Sequence, residues 1–281
     1  MSPLARRAGI ASVAVAGLIL FAALTILFVP SSQLQQLATR AAANQGLVLT
    51  AAGFGKAFPV GIKAEDLTIA GGSGPLIRFD RLALRLRLIP LCAGRVVITC
   101  RGAIGKGELQ GELELTRKGN LEFSVQGIRL EDLPFFTSVA NAQARGELLL
   151  RGKLRGRGAA ADGTLQAEVR GLDLRGVKIS GTPLPDASYN ASQGMVRISG
   201  GRITLESVTL QGEGLYVRLR GDMPADKPPA ATELNLTLEL MPKPDYLDRQ
   251  KFVFLLLTKY LSSPGVYQVP IRGTLAQPLL Q

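Results

Sequence analysis

The stretch RLALRLRL, Arg81 to Leu88, decides how this chain folds. Leu82, Leu84, Leu86 and Leu88 share one side of an extended backbone, while Arg81, Arg85 and Arg87 share the other. A period of two residues belongs to a half-buried β-strand, whose successive side chains point to opposite faces. The same arithmetic spreads along the chain. In GELELT, Leu113 and Leu115 oppose Glu112 and Glu114; in GELLLRG, Leu148 and Leu150 oppose Glu147 and Arg151, with Leu149 breaking the alternation. LDLRGVKI, RITLESVTL and LYVRLRG continue it, and ELNLTLEL carries it through Leu234, Leu236, Leu238 and Leu240.

Glycine recurs inside these runs, as in GELQGEL, RGKLRGRG, RGLDLRG and QGEGLYVRLRG. There it permits bulges and bends while weakening each strand. Short loops join the runs, and no series of helices alternates with them as βαβ units require. The expected fold is therefore mainly β: a long, curved antiparallel sheet built as a meander of hairpins. One amphipathic helix is expected near the C-terminus. After Pro242 and Pro244 the segment YLDRQKFVFLLLTKYL predicts a helix over about 245–261, with Asp245 as N-cap and Pro264-Gly265 as its stop. Its length of roughly 24 Å closes one end of a sheet but not a whole face. An apolar face left open exposes more than a soluble monomer tolerates, so either the sheet folds on itself or something apolar occupies its groove.

Composition narrows the chemistry. With 281 residues, 46% of them apolar and 20% charged, the chain can bury a core, which rules out disorder. It has no His and two Cys, which removes most metal sites and the His-dependent triads and acid–base pairs. GFGKAF (Gly53 to Phe58) and GAIGKGE (Gly102 to Glu108) lack the upstream Gly and the Ser or Thr of a phosphate-binding loop and are expected to be turns. No G-x-S-x-G elbow occurs. The expectation is a non-enzyme with no cofactor. The net charge of +11, or +9 without Arg6 and Arg7, is spread along the chain, and aromatics make up only 5%. That pattern fits solubility and contact with anionic lipid headgroups; no nucleic acid is expected. Cys92 and Cys100, in LCAGRVVITC, flank a turn at Gly94. They are candidates for a disulfide in an oxidising compartment, with two reduced, buried thiols the equal alternative.

From Ala8 to Val29, AGIASVAVAGLILFAALTILFV carries no charge and has the length of a bilayer-spanning helix. Arg6 and Arg7 precede it and no Lys or Arg follows until Arg40, so the positive-inside rule puts the N-terminus in the cytoplasm. A cleaved signal peptide fits less well, because its apolar core is usually about 7–15 residues and the nearest A-x-A pattern, Ala41 to Ala43, lies far downstream. The expected order is a cytoplasmic tail at 1–7, a transmembrane helix at 8–29, a juxtamembrane segment at 30–46 with a short helix ending near Gly46, and a β-rich domain at 47–281. The next most apolar run, Phe252 to Leu257, is far too short to cross, so a single anchor is expected.

The short tail, single anchor and Gly-punctuated strands, together with LPFF (Leu133 to Phe136), GTPLPDASY (Gly181 to Tyr189), LQGEGLYVRLRGD (Leu210 to Asp222), LELMPKPD (Leu238 to Asp245) and FVFLLLTKYLSSPGVYQVPIRGTLAQP (Phe252 to Pro278), resemble the N protein family of the bacterial type II secretion system. The closing PIRGTLAQP also resembles the ends of AsmA-like and TamB-like proteins, whose sheets form a taco-shaped groove. The resemblance covers most of the chain and is most specific from about Gly181 onward. It implies a bacterial inner-membrane protein with a periplasmic β-domain and secretion-system components of the inner membrane or periplasm as partners. It brings no catalytic residue. The expected function is that of a non-catalytic accessory component of type II secretion whose β-domain binds partner proteins. The alternative is an AsmA-like protein that binds or moves phospholipid, with Leu82, Leu84, Leu86, Leu113, Leu115, Leu148, Leu150, Leu234, Leu236 and Leu238 lining an apolar groove and Arg and Lys at its rim.

Overall fold

The computed structural model describes residues 31–44, 46–72, 74–115, 119–138, 141–156, 160–179, 181–225, 232–274 and 278–280. The anchor expected at 8–29 lies outside them. Among the described residues no helix is long and apolar enough to cross a membrane.

Helix α1 (Ser31–Ala43) leads into the sheet. It stops where Gly46 takes φ +73°, a left-handed turn that lets the Gly46 and Leu47 amides donate to the carbonyls of Ala43 and Ala42. The strands follow in chain order: β1 (Val48–Thr50), β2 (Gly53–Lys56), β3 (Gly61–Gly71), β4 (Gly74–Arg87), β5 (Val97–Ile104), β6 (Gly107–Glu114), β7 (Asn120–Arg129), β8 (Gln143–Arg155), β9 (Asp162–Arg175), a small hairpin of β10 (Lys178–Ile179) and β11 (Thr182–Pro183), then β12 (Ala187–Ser199), β13 (Arg202–Gly212), β14 (Leu215–Pro224), β15 (Asn235–Pro242), β16 (Leu261–Ser263), β17 (Val266–Gly273) and β18 (Pro278–Leu280). All except β10 and β11 join one antiparallel sheet of 16 strands, in which neighbours in the chain are almost always neighbours in space. The mainly β, single-sheet meander expected from the alternation is what forms.

The sheet does not run straight. Extra residues interrupt the register on β7 between Val125 and Ile128, on β9 opposite Arg145–Glu147, on β12 between Tyr189 and Ala191, and on β13 between Leu205 and Val208. Gly127 (φ +68°) and Gly171 (φ +60°) supply the left-handed backbone at the first two. A bulge makes residues three apart, rather than two, face the same way. Val125 and Ile128 are therefore both buried, as are Tyr189 and Ser192. Each bulge bends its strand and increases its twist locally; those on β7, β9 and β12 lie close to one another in register, while that on β13 lies opposite Met195 and Val196, farther along the sheet.

The two ends of the sheet differ. The closed end holds the long connections. Leu130 follows β7, and α3 (Pro134–Ser138) reaches back to the start of β4, where the Ser138 hydroxyl donates to the Pro75 carbonyl at 2.5 Å. Leu133 packs against both buried clusters of the described residues, one around Ala64, Leu67, Phe79, Ile104, Val125 and Ile128, the other running from Leu130 to Ile271. At the open end β6–β7, β8–β9 and β12–β13 are joined by short connections, while residues 88–96, with α2 (Leu88–Cys92), lie between β4 and β5.

Two expectations need correction. The helix at 245–261 forms as α4 (Pro244–Arg249), α5 (Lys251–Leu256) and a 3₁₀ turn at Thr258–Tyr260. Pro244 occupies the first helical turn, so the cap falls on Lys243, which makes no side-chain cap bond, and Asp245 sits inside the helix. The pieces answer to different supports: the Tyr246 hydroxyl donates to the Asp186 carbonyl, while the Phe254 ring lies 5.0 Å from that of Tyr267 on β17. The second correction concerns GFGKAF, of which Gly53 to Lys56 is the edge strand β2 rather than a turn. In GAIGKGE, Gly105 and Lys106 do turn the chain between β5 and β6.

Candidate functional site

The sheet's two faces have opposite chemistry. On the apolar face the expected lining residues fall into three settings. Leu234, Leu236 and Leu238 are buried in the large cluster. Leu82, Leu148 and Leu150 pack on the smaller one. Leu84, Leu86 and Leu113 are half-buried at the open end, outside both clusters, and Leu115 is 42% exposed. Register brings these last residues together with three the sequence reading did not single out. Leu86 faces Ile98, Ile98 faces Leu113, Leu113 faces Leu121 and Leu121 faces Leu154, giving an unbroken apolar row across five strands. The alternation in VITC and GKLR carried the signal for Ile98 and Leu154, but their pairing depends on register. Next to this row on β7 and β8, the Phe123 ring fills the space a side chain at Gly152 would take.

The opposite face is charged, and between β3 and β9 it is concave, enclosing a depression of about 1350 Å³. Of the ten candidate leucines only Leu82 contributes to its lining. As the alternation predicts for Arg81 and Arg85, Arg81, Arg85, Arg101 and Arg151 stand on the back of the leucine face. The carboxylates of the depression have partners. Glu65 lies 3.6 Å from Lys63, Glu122 lies 3.4 Å from Lys153, Glu112 accepts from Arg87 at 2.9 Å, and Glu108 accepts from the Gln110 amide at 3.5 Å. Arg81, Arg85, Arg101 and Arg151 form no ion pair among the described residues.

Both cysteines are free thiols, so the candidate disulfide is not formed. Cys92 is exposed at the end of α2, while Cys100 is half-buried on β5, where burial pushes its thiol pKa up. No group of three His, Cys, Asp or Glu side chains among the described residues is arranged to hold a metal ion. Two tyrosines at the closed end hold their protons tightly. Burial, with a smaller effect of Asp186, pushes Tyr246 up to about 12, and burial together with nearby Tyr246 raises Tyr189.

These features define the class of molecule: a single antiparallel sheet with one leucine-rich face and one charged face, its path ending at β1 and β2 on one side and at β16 and β18 on the other. No protein-family model, no curated protein and no solved structure matches the chain.

Proposed function

We propose that the chain is a non-catalytic bacterial inner-membrane protein whose periplasmic sheet holds the acyl chains of a phospholipid on the open end of its apolar face. The observation that carries this reading is the row Leu86, Ile98, Leu113, Leu121 and Leu154, half-buried and outside both packed clusters, in a sheet that has no second sheet across it among the described residues. Burying such a row against a flexible apolar ligand gains roughly 25 cal/mol for each Å² removed from water. The resemblance to type II secretion protein N and to AsmA-like proteins supplies the setting, an accessory role at the inner membrane, and the anchor expected at 8–29 holds the sheet near lipid. A second reading, in which the sheet binds secretion components, is favoured by one feature. The edge strand β16 is exposed along its whole length, Leu261 to Ser263, and an exposed edge can accept a partner strand.

The test places a photo-crosslinking amino acid at position 84 or 113 of the full-length chain in its native membrane, with position 204 on the charged face as control. Phospholipid adducts at 84 and 113 but not at 204 are expected, and they disappear when the neighbouring Leu86 is changed to Asp. Protein adducts at the same positions move the conclusion to the partner-binding reading. An absence of adducts at both overturns the acyl-binding one.

A further inference from the structure

We propose that the charged depression is a binding site for a phosphate-bearing ligand, cradled by Arg81, Arg85 and Arg101. Arg81 and Arg85 stand four residues apart on β4, about 13 Å along the strand. Arg101 on β5 is registered opposite Ala83, midway between them, so it is diagonal to both at about 7–8 Å, within reach of long side chains. Three guanidinium groups can therefore converge above Ala83. The residues opposite them on the neighbouring strand are small: Ala103 faces Arg81 and Thr99 faces Arg85. Between β4 and β5 the floor is thus formed by small side chains, with Lys63 registered beside Ala83 on β3 and Gln110 beside Arg101 on β6.

Cross-strand pairing elsewhere on this face shows what the cradle lacks. Glu122 and Lys153 face each other in register and pair, whereas across the β4–β5 pair the three arginines face Ala, Thr and Ala, and on β6 Arg101 faces the uncharged Gln110. Glu65 is in register with Arg81 on the other side but lies against Lys63 instead, and Glu112, diagonal to Arg101, accepts from Arg87. Glu108, also diagonal to Arg101, is occupied by Gln110. Like charges gathered in one concavity repel one another, and an anion with several oxygens relieves that repulsion. Guanidinium suits phosphate because its planar fork donates two parallel hydrogen bonds to a pair of oxygens. Arg151, on the far side of the depression three strands from Arg101, is placed for a second anionic group. Such a ligand is the headgroup of a phospholipid or a soluble phosphorylated compound; the chemistry of recognition is the same. The site lies on the face opposite the acyl row and stands whether or not that row binds lipid.

The experiment uses the full-length protein in nanodiscs and a double variant, Arg81→Gln with Arg101→Gln. A charge-matched control, Arg129→Gln with Arg155→Gln, removes two exposed arginines outside the depression. Calorimetry with inorganic pyrophosphate in phosphatidylcholine discs tests a soluble ligand. Native mass spectrometry of protein ejected from discs containing phosphatidic acid tests a headgroup. Saturable pyrophosphate binding, weakened about tenfold or more in the cradle variant and unchanged in the control, assigns a soluble phosphate. Retention of phosphatidic acid that only the cradle variant loses assigns a headgroup. Equal losses in both variants, or no binding of either probe, overturn the site. Because lipid crosslinking at position 84 is read on the other face, its failure leaves this result intact.

Discussion

Gly152 illustrates how much a missing side chain can carry. A Cβ there would overlap the Phe123 ring, which lies over the glycine and fills the apolar face between β7 and β8. Gly152→Val is expected to destabilise the protein by about 1–3 kcal/mol through overpacking. Gly194, on the same face, is the contrasting case. A Cβ there would meet Val208 Cγ2 at 3.6 Å and Ala167 Cβ at 3.7 Å, ordinary contact distances. Gly194→Ala is expected to stabilise by about 0.4–1 kcal/mol, because it removes unfolded-chain freedom without strain. Denaturant unfolding of the two variants checks the pair, and equal effects would remove the distinction. In the sequence both positions are simply glycines inside strand-like runs. Which one has an aromatic ring lying over it depends on the strand next door.

At the scale of the element, α4 is fastened to the sheet by the Tyr246 phenol, which donates to the Asp186 carbonyl just before β12. That bond exists only while the phenol keeps its proton. In the unfolded chain Tyr246 ionises at its ordinary value of 10.0, and in the fold only at about 12. Between those values the unfolded chain has released a proton that the folded chain still holds, so stability falls as pH rises from about 10 and levels off above about 12. Below 10 the contribution is fully present. Tyr189, whose pKa burial also raises, adds to the same alkaline loss, so Tyr246→Phe is expected to make the fall shallower without abolishing it. Unfolding measured from pH 9 to 12 on both proteins tests this; identical slopes would detach Tyr246 from the effect. The amphipathic pattern of YLDRQKFVFLLLTKYL marked the element correctly as helical and core-facing, with Phe254 and Leu257 now among the most buried side chains. The division into two helices and a 3₁₀ turn was not legible. It follows from docking on Asp186 and on Tyr267, residues that lie outside the segment.

For the whole molecule, coverage of the apolar face is uneven. Peptides from the closed end, around Ile104, Val125 and Ile128, are expected to exchange their amide hydrogens more slowly than peptides around Ile98, Leu113 and Leu121 at the open end, because local opening there uncovers less buried surface. Uniform protection in lipid-free protein would show that the open end is covered after all. The sequence alone determined that the chain is mainly β, that its strands form hairpins, and, between bulges, which side chains share a face. Those properties follow from a period of two residues and from glycine spacing, both of which are local. Only the tertiary structure decided that Leu234, Leu236 and Leu238 are core while Leu84, Leu86 and Leu113 are not, that Cys92 and Cys100 are free thiols, and that Arg81, Arg85 and Arg101 line one depression on the charged face. Each of these depends on strand register, on bulges, or on a segment such as Leu133 to Phe136 reaching back toward β4. Contacts of that range leave no period in the chain.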